Sequence, residues 1–269
     1  MKYMTFNSSC SYAGLANLLS FCGIDTEDRE IALQMRLPYL FSCEDGCFLS
    51  GPMLQGAKWF DLYLNPMGFR LLERRLDRER VCGYLKDIGP AMLGLRVSSE
   101  SKHAVIYTGQ KNGNYQFLNN KRKDSLEPET LSLMESDILD RLDESVIVGR
   151  LERTAPRSTD YRPYLEESVL VFRNLREKLA AFCAAAQSAN SLRTAMNELF
   201  RPILLDGLTM LELLEEREIV DILLAIRSQF LRIVKESRPA VLAGELDMQR
   251  FAFALSQYER LIINQMETE

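Results

Sequence analysis

His103-Ala104-Val105-Ile106-Tyr107-Thr108-Gly109-Gln110-Lys111-Asn112-Gly113-Asn114-Tyr115-Gln116-Phe117-Leu118-Asn119 is the stretch of this 269-residue chain that decides its fold. β-branched and aromatic residues stand on both sides of Asn112-Gly113, the strongest short-range signal for an antiparallel hairpin. The turn length then decides which residues share a face. A two-residue Asn112-Gly113 turn places Asn119 opposite Ile106, on the other side of the sheet from His103. A three-residue Lys111-Asn112-Gly113 loop, with Gly113 left-handed, places Asn119 opposite Val105, which shares a face with His103. The second arrangement makes Asn119 a diagonal neighbour of His103, at about 7–8 Å between backbones, close enough for a side-chain hydrogen bond that fixes the imidazole tautomer. The three-residue loop is therefore the expectation on which a site would depend; otherwise Asn119 is a turn former at a strand end.

Working outward, Phe69-Arg70-Leu71-Leu72 reads as a strand and 77–88 as an amphipathic helix, and Pro90 opens the strand 91–97. A helix near 128–142 precedes a last strand, Ser145–Arg150. On the N-terminal side, 10–22 reads as a mostly buried helix that Ser8 or Ser9 can cap and Gly23 can end. Helices at 26–36 and 53–64 flank an irregular stretch from Pro38 to Pro52 that holds Cys43 and Cys47. Trp59 and Phe60 are most simply core residues of the second of these helices.

Residues 153–163 are polar, carry two prolines and read as a linker. Beyond it, spans near 164–187, 190–204, 208–235 and 241–265 have apolar residues at three- and four-residue spacing. The expected fold is α+β: a domain over 1–152 with helices and an antiparallel sheet, then an all-α helical bundle over 164–269 serving as scaffold or homodimer surface.

A hydrophobic fraction of 46%, a charged fraction of 26% and a net charge of −5 are globular values with no basic footprint for nucleic acid. No run of eighteen apolar residues suggests a membrane span and the first residues do not resemble a signal peptide, so a cytoplasmic protein with six reduced cysteines is expected. Cys43 and Cys47 do not suggest zinc, because a structural site wants four ligands and there is no second close cysteine pair. No metal and no cofactor are expected.

Cys10 stands where the 10–22 helix begins, a position where unpaired N–H groups and the helix dipole lower a thiol pKa and make a nucleophile. The plainer reading is a small buried hydrophobe, as most free cysteines are. His103 is the only histidine, so an imidazole base for any thiol must be this residue. A cysteine opening a helix, a histidine opening a strand and an asparagine ending the next strand, 16 residues on, form an ordered set.

In that order and context the chain resembles papain-like cysteine peptidases, and most of all the bacteriocin-processing leader peptidases and the butirosin-type acyltransferases. The resemblance covers roughly 1–152 and implies Cys10 as nucleophile, His103 as base and Asn119 as the residue that orients it. Two positions depart from the pattern. The usual oxyanion glutamine before the cysteine is missing, leaving Asn7 as the only amide there, and Asn119-Asn120 stands where the leader peptidases usually have Asp-Pro. Loss of one oxyanion donor typically costs about two to three orders of magnitude in rate, so position 7 bears on turnover itself.

The favoured expectation is acyl transfer through an acyl-enzyme on Cys10, from a thioester on the phosphopantetheine of an acyl or peptidyl carrier protein to a small amine. Lys121 and Arg122, directly after Asn120, would then meet the pantetheine phosphate, although a solvated turn explains them as well. A free-standing cysteine peptidase or amidase is the alternative, and a non-catalytic binding module the third.

Overall fold

Residues 1–99 and 101–268 are described in a computed structural model of the chain. Its elements begin with α1 (Ser11–Ser20), α2 (Asp28–Gln34), a hairpin of β1 (Phe41–Glu44) and β2 (Cys47–Ser50), and α3 (Ala57–Leu64). There follow β3 (Phe69–Asp77), α4 (Arg78–Asp87), β4 (Ala91–Arg96), β5 (Lys102–Lys111), β6 (Asn114–Asn119), β7 (Thr130–Leu133), α5 (Glu135–Arg141) and β8 (Ser145–Arg153). The C-terminal part contains α6 (Arg162–Ala184), α7 (Ala189–Ala195), α8 (Leu208–Leu213), α9 (Arg217–Glu236) and α10 (Met248–Glu267).

The chain divides into two units, and the division is not the one expected from the linear sequence. Met1–Met35 and Gln55–Thr159 form one; Arg36–Leu54 joins the residues from Asp160 onward in the other. The expected boundaries at 152 and 164 thus miss an excursion of 36–54 out of the first unit.

The first unit is α+β, built on a six-stranded antiparallel sheet in the order β3-β8-β4-β5-β6-β7. Alternation along the strands sends Leu93, Leu95, Val105, Tyr107 and Phe117 into a core closed by Val81, Cys82 and Leu85 of α4 and Ile138 of α5. α1 packs against β4 and β5 and is buried continuously from Tyr12 to Leu19, which explains why it is apolar all round rather than on one stripe. Trp59 and Phe60 are core residues, with the Phe60 ring edge-on to Tyr12 at 5.1 Å. The helix expected near 128–142 is instead a strand followed by a short helix, because Thr130-Leu131-Ser132-Leu133 alternates with period two and pairs with β6.

The decisive hairpin has the turn that was not expected. Lys111 pairs with Asn114 across a two-residue Asn112-Gly113 turn in which both residues have positive φ, 53° and 81°, as a type I′ turn requires. The register nevertheless shifts between Tyr107 and Gly109, where Thr108 is an extra residue on β5, and Val105 pairs with Asn119. A β-bulge thus supplies the extra residue that was assigned to the loop. Gly109, at φ 132°, sits where a side chain would be strained.

The second unit is not all-α. Its helices α6, α9 and α10 bury an apolar core that includes Phe172, Leu179, Leu223, Ile226, Phe230 and Ile262, and into it goes Phe41 of the β1–β2 hairpin, whose ring lies 4.9 Å from Phe172 and 5.4 Å from Tyr258. The 38–52 stretch is thus a hairpin rather than an irregular loop, turning at Asp45-Gly46 with φ 50° and 81°. A two-residue ladder also joins Ala186-Gln187 to Ala240-Val241. The helix expected over 190–204 stops at Ala195 and passes into π-helical turns over 196–200 and 202–207; Pro202 has no N–H to continue an α-helical ladder. That expected over 208–235 breaks after Leu213, where Glu215 takes φ 60°.

Candidate active site

Cys10 occupies the N-cap position of α1, and Ser9 Oγ accepts a hydrogen bond from the Ser11 N–H at 3.2 Å. The helix reaches the sheet through Gly14, where an added Cβ would lie 2.6 Å from Met92 Sδ and 2.8 Å from Asn120 Nδ2. Buried amides fix the contact: Asn17 Nδ2 donates to Asn120 Oδ1 at 2.8 Å, and Asn120 Nδ2 donates to the Ala104 carbonyl at 2.9 Å. In this way Cys10 is brought to the start of β5, where the Ala104 N–H donates to its Sγ at 3.0 Å.

His103 lies next to that amide, and its Nδ1 is 2.9 Å from Asn119 Oδ1. The amide orientation has independent support, because Asn119 Nδ2 donates to the Pro128 carbonyl at 2.9 Å and its oxygen must then face the ring. A carboxylate oxygen, Glu127 Oε2, stands 3.2 Å from the same nitrogen without accepting a hydrogen bond from it. With Asn119 Oδ1 as its acceptor, Nδ1 carries the proton in the neutral ring and Nε2 keeps its lone pair.

Cys10 and His103 line a cleft of about 270 Å³ with Asn7, Ser9, Gln55 and Lys102. A groove of about 240 Å³ continues from Ser11, Lys102 and His103 across the sheet past Met92, Gly94 and Gly149. Asn7 is exposed at the cleft wall, where its amide makes no hydrogen bond to the described residues. Gln55, whose Oε1 accepts from the Ser11 hydroxyl at 2.8 Å, brings a second amide into the same cleft from 44 positions beyond Ser11.

The electrostatics of Cys10 reverse the expectation drawn from the helix terminus. Burial pushes the thiol above its ordinary range, outweighing the N–H groups of Ala104 and of Cys10 itself, which favour the thiolate, and the Glu127 carboxylate adds a smaller upward push. The protonated thiol is thereby favoured over the thiolate. No hydrogen bond joins it to the imidazole; such contacts are commonly long in unliganded sites and tighten when substrate binds.

Lys121 and Arg122 are not in the cleft. Lys121 is buried, 6% exposed, and its ammonium donates to the carbonyls of Glu127 at 2.7 Å and Ser125 at 3.3 Å, so its charge is used to shape the 121–129 loop. Arg122 is exposed on that loop. Among the described residues there is no group of three or more His, Cys, Asp or Glu side chains placed to hold a metal ion. Cys43 and Cys47 are exposed thiols on β1 and β2. No helix among the described residues is long and apolar enough to cross a membrane.

The sequence reading missed Gln55 and Glu127. Neither belongs to a periodic pattern or a motif, and each reaches the site through a loop whose path local sequence does not specify.

No family model matches the chain, and no curated protein matches it in sequence. Among solved structures it is similar to the peptidase domain of Streptococcus ComA, a bi-functional ABC transporter involved in a quorum sensing pathway. The identity is 11% and the TM-score 0.38, over 55% of this chain and 96% of that one. So remote a likeness leaves the site to be judged on its own geometry.

Proposed function

We propose that the chain is a papain-like cysteine hydrolase, a peptidase or amidase, in which Cys10 is the nucleophile, His103 the base and Asn119 the residue that orients the base. The observation that carries this reading is the 2.9 Å contact between His103 Nδ1 and Asn119 Oδ1, which leaves Nε2 as the basic atom of the ring in a cleft that Cys10 also lines.

A thiol that is protonated at rest needs base-assisted attack rather than a standing ion pair. The Cys10 proton passes to His103 Nε2 as Sγ adds to the substrate carbonyl carbon, and the oxygen takes the negative charge against the Cys10 N–H and the Asn7 amide. Collapse of the tetrahedral species breaks the bond to nitrogen, and the departing amine takes the proton back from His103. Water, giving a proton to the same nitrogen, then opens the thioester and restores the thiol.

A carrier-protein thioester is set aside as the acyl donor for a specific reason. The carrier-thioester expectation gave Lys121 and Arg122 to a pantetheine phosphate, yet the Lys121 charge is spent on backbone carbonyls and neither residue lines the cleft.

The test uses p-nitrophenyl acetate as an acyl donor, with acetylated sites mapped by mass spectrometry. Cys10 is expected to acetylate and then to release acetate to water, with turnover lost in Cys10→Ala. Undiminished turnover in that variant would remove Cys10 from the mechanism. Acetyl transfer to an added amine in preference to water would return the reading to acyl transfer.

A further inference from the structure

Asn119 can orient His103 but, as a neutral amide, cannot balance the charge that the ring gains on taking the Cys10 proton. The structure places a carboxylate at that point. Glu127 Oε2 lies 3.2 Å from His103 Nδ1, and this oxygen is buried with no hydrogen-bond partner among the described residues. A buried carboxylate oxygen left without a donor is costly unless a positive charge compensates it. The loop that carries it is held from within: Lys121 Nζ donates to the Glu127 carbonyl at 2.7 Å, and the Glu127 N–H donates to Ser125 Oγ at 3.2 Å.

We infer that Glu127 is a positioning residue that stabilises the imidazolium form of His103 during acyl-enzyme formation, supplying the charge that Asn119 lacks. The two side chains then divide between them what a single aspartate could do alone. Asn119 Oδ1 sets the direction of the Nδ1–H, while Glu127 Oε2, off the line of that bond, acts through its charge. Glu127 also repels a thiolate at Cys10, but that is the smallest of the influences on the sulfur, and the carboxylate stands directly against the ring at 3.2 Å. The inference rests on the hydrolase reading proposed above.

Two Glu127 variants separate charge from shape. Glu127→Gln keeps the size of the side chain and removes the charge; Glu127→Asp keeps the charge and shortens the side chain. The rate of Cys10 acetylation by p-nitrophenyl acetate is measured for both on the full chain, with Tm as the check on folding. Glu127→Gln is expected to slow Cys10 acetylation about tenfold, and Glu127→Asp by clearly less. Acetylation of Glu127→Gln at the wild-type rate, or a larger loss in Glu127→Asp than in Glu127→Gln, would overturn the charge role. His103→Ala distinguishes the levels of failure. A wild-type rate there overturns the hydrolase reading and this inference with it, whereas a slow His103→Ala beside an unaffected Glu127→Gln overturns only the part given to Glu127.

Discussion

Val105 and Asn119 are direct cross-strand partners, and they are so because Thr108 is an extra residue on β5. Without the bulge, the same two-residue turn would set Asn119 against Ile106 and point its amide away from His103. Gly109 makes the bulge accessible at φ 132°, where a β-branched residue is strained. Gly109→Val is therefore expected to favour a regular ladder with slipped register and to reduce Cys10 acetylation by at least tenfold. Deleting Thr108 in the Gly109→Val background restores the Val105–Asn119 pairing without a bulge and should recover most of the rate. Failure of the deletion to recover it would mean that register is not what Gly109 controls.

The hairpin also marks how far the sequence can be read. Its strands and the Asn112-Gly113 turn are legible because β-branched and aromatic residues surround a dipeptide with a steric preference. The bulge is not, since one extra residue in the strand and one in the loop give the same pairing of Val105 with Asn119, and Gly109 alone does not choose between them. Phe41 and Phe48 show a different limit: their alternation around Asp45-Gly46 is a local strand signal, but nothing local says that they pack with α6 and α10. The 10–22 helix was legible from composition, although its N-cap is Cys10 itself and not Ser8 or Ser9. Thiol protonation was not, because burial, which dominates it, is a tertiary property.

Gly14 determines how closely α1 can carry Cys10 to β5. A Cβ there meets Met92, which can move aside, and Asn120, which is held by Asn17 and the Ala104 carbonyl. Gly14→Ala is expected to lower stability by about 1–3 kcal/mol through overpacking and to slow Cys10 acetylation, both measurable on one preparation by denaturant titration and mass mapping. A stable variant with an unchanged rate would show that the helix has room to spare.

Lys121 and Arg122 should respond in opposite ways. Lys121→Met leaves the Glu127 and Ser125 carbonyls without their donor, at a cost of about 1–3 kcal/mol, and loosens the loop that presents Glu127. Arg122→Ala touches an exposed side chain and should change stability by less than about 0.5 kcal/mol. A loss of activity in Arg122→Ala with normal Tm would instead revive a role for that residue in binding substrate.

Alkaline pH should destabilise the protein. Burial raises the Cys183 thiol from 9.0 to about 11 and the Tyr115 hydroxyl from 10.0 to about 12. Each keeps its proton in the folded chain at pH values where the unfolded chain has lost it. The stabilisation is therefore complete below the unfolded values and disappears as pH rises through the folded ones. For Cys183 this amounts to on the order of 2 kcal/mol. Thermal melts near pH 7 and near pH 10.5 should show a drop in Tm that Cys183→Ala makes smaller, and an equal drop in the variant would exclude the thiol as a cause.

The central claim is that His103, held by Asn119, works on Cys10 and on no other thiol. It is tested most directly by the rate of Cys10 acetylation relative to the exposed Cys43 and Cys47 in the same molecule, compared between the wild-type chain and His103→Ala. General-base assistance contributes about 10²–10⁴-fold, so the Cys10 rate is expected to fall by at least two orders of magnitude while Cys43 and Cys47 are unchanged. A Cys10 rate that keeps its wild-type ratio to those two thiols in His103→Ala would contradict it.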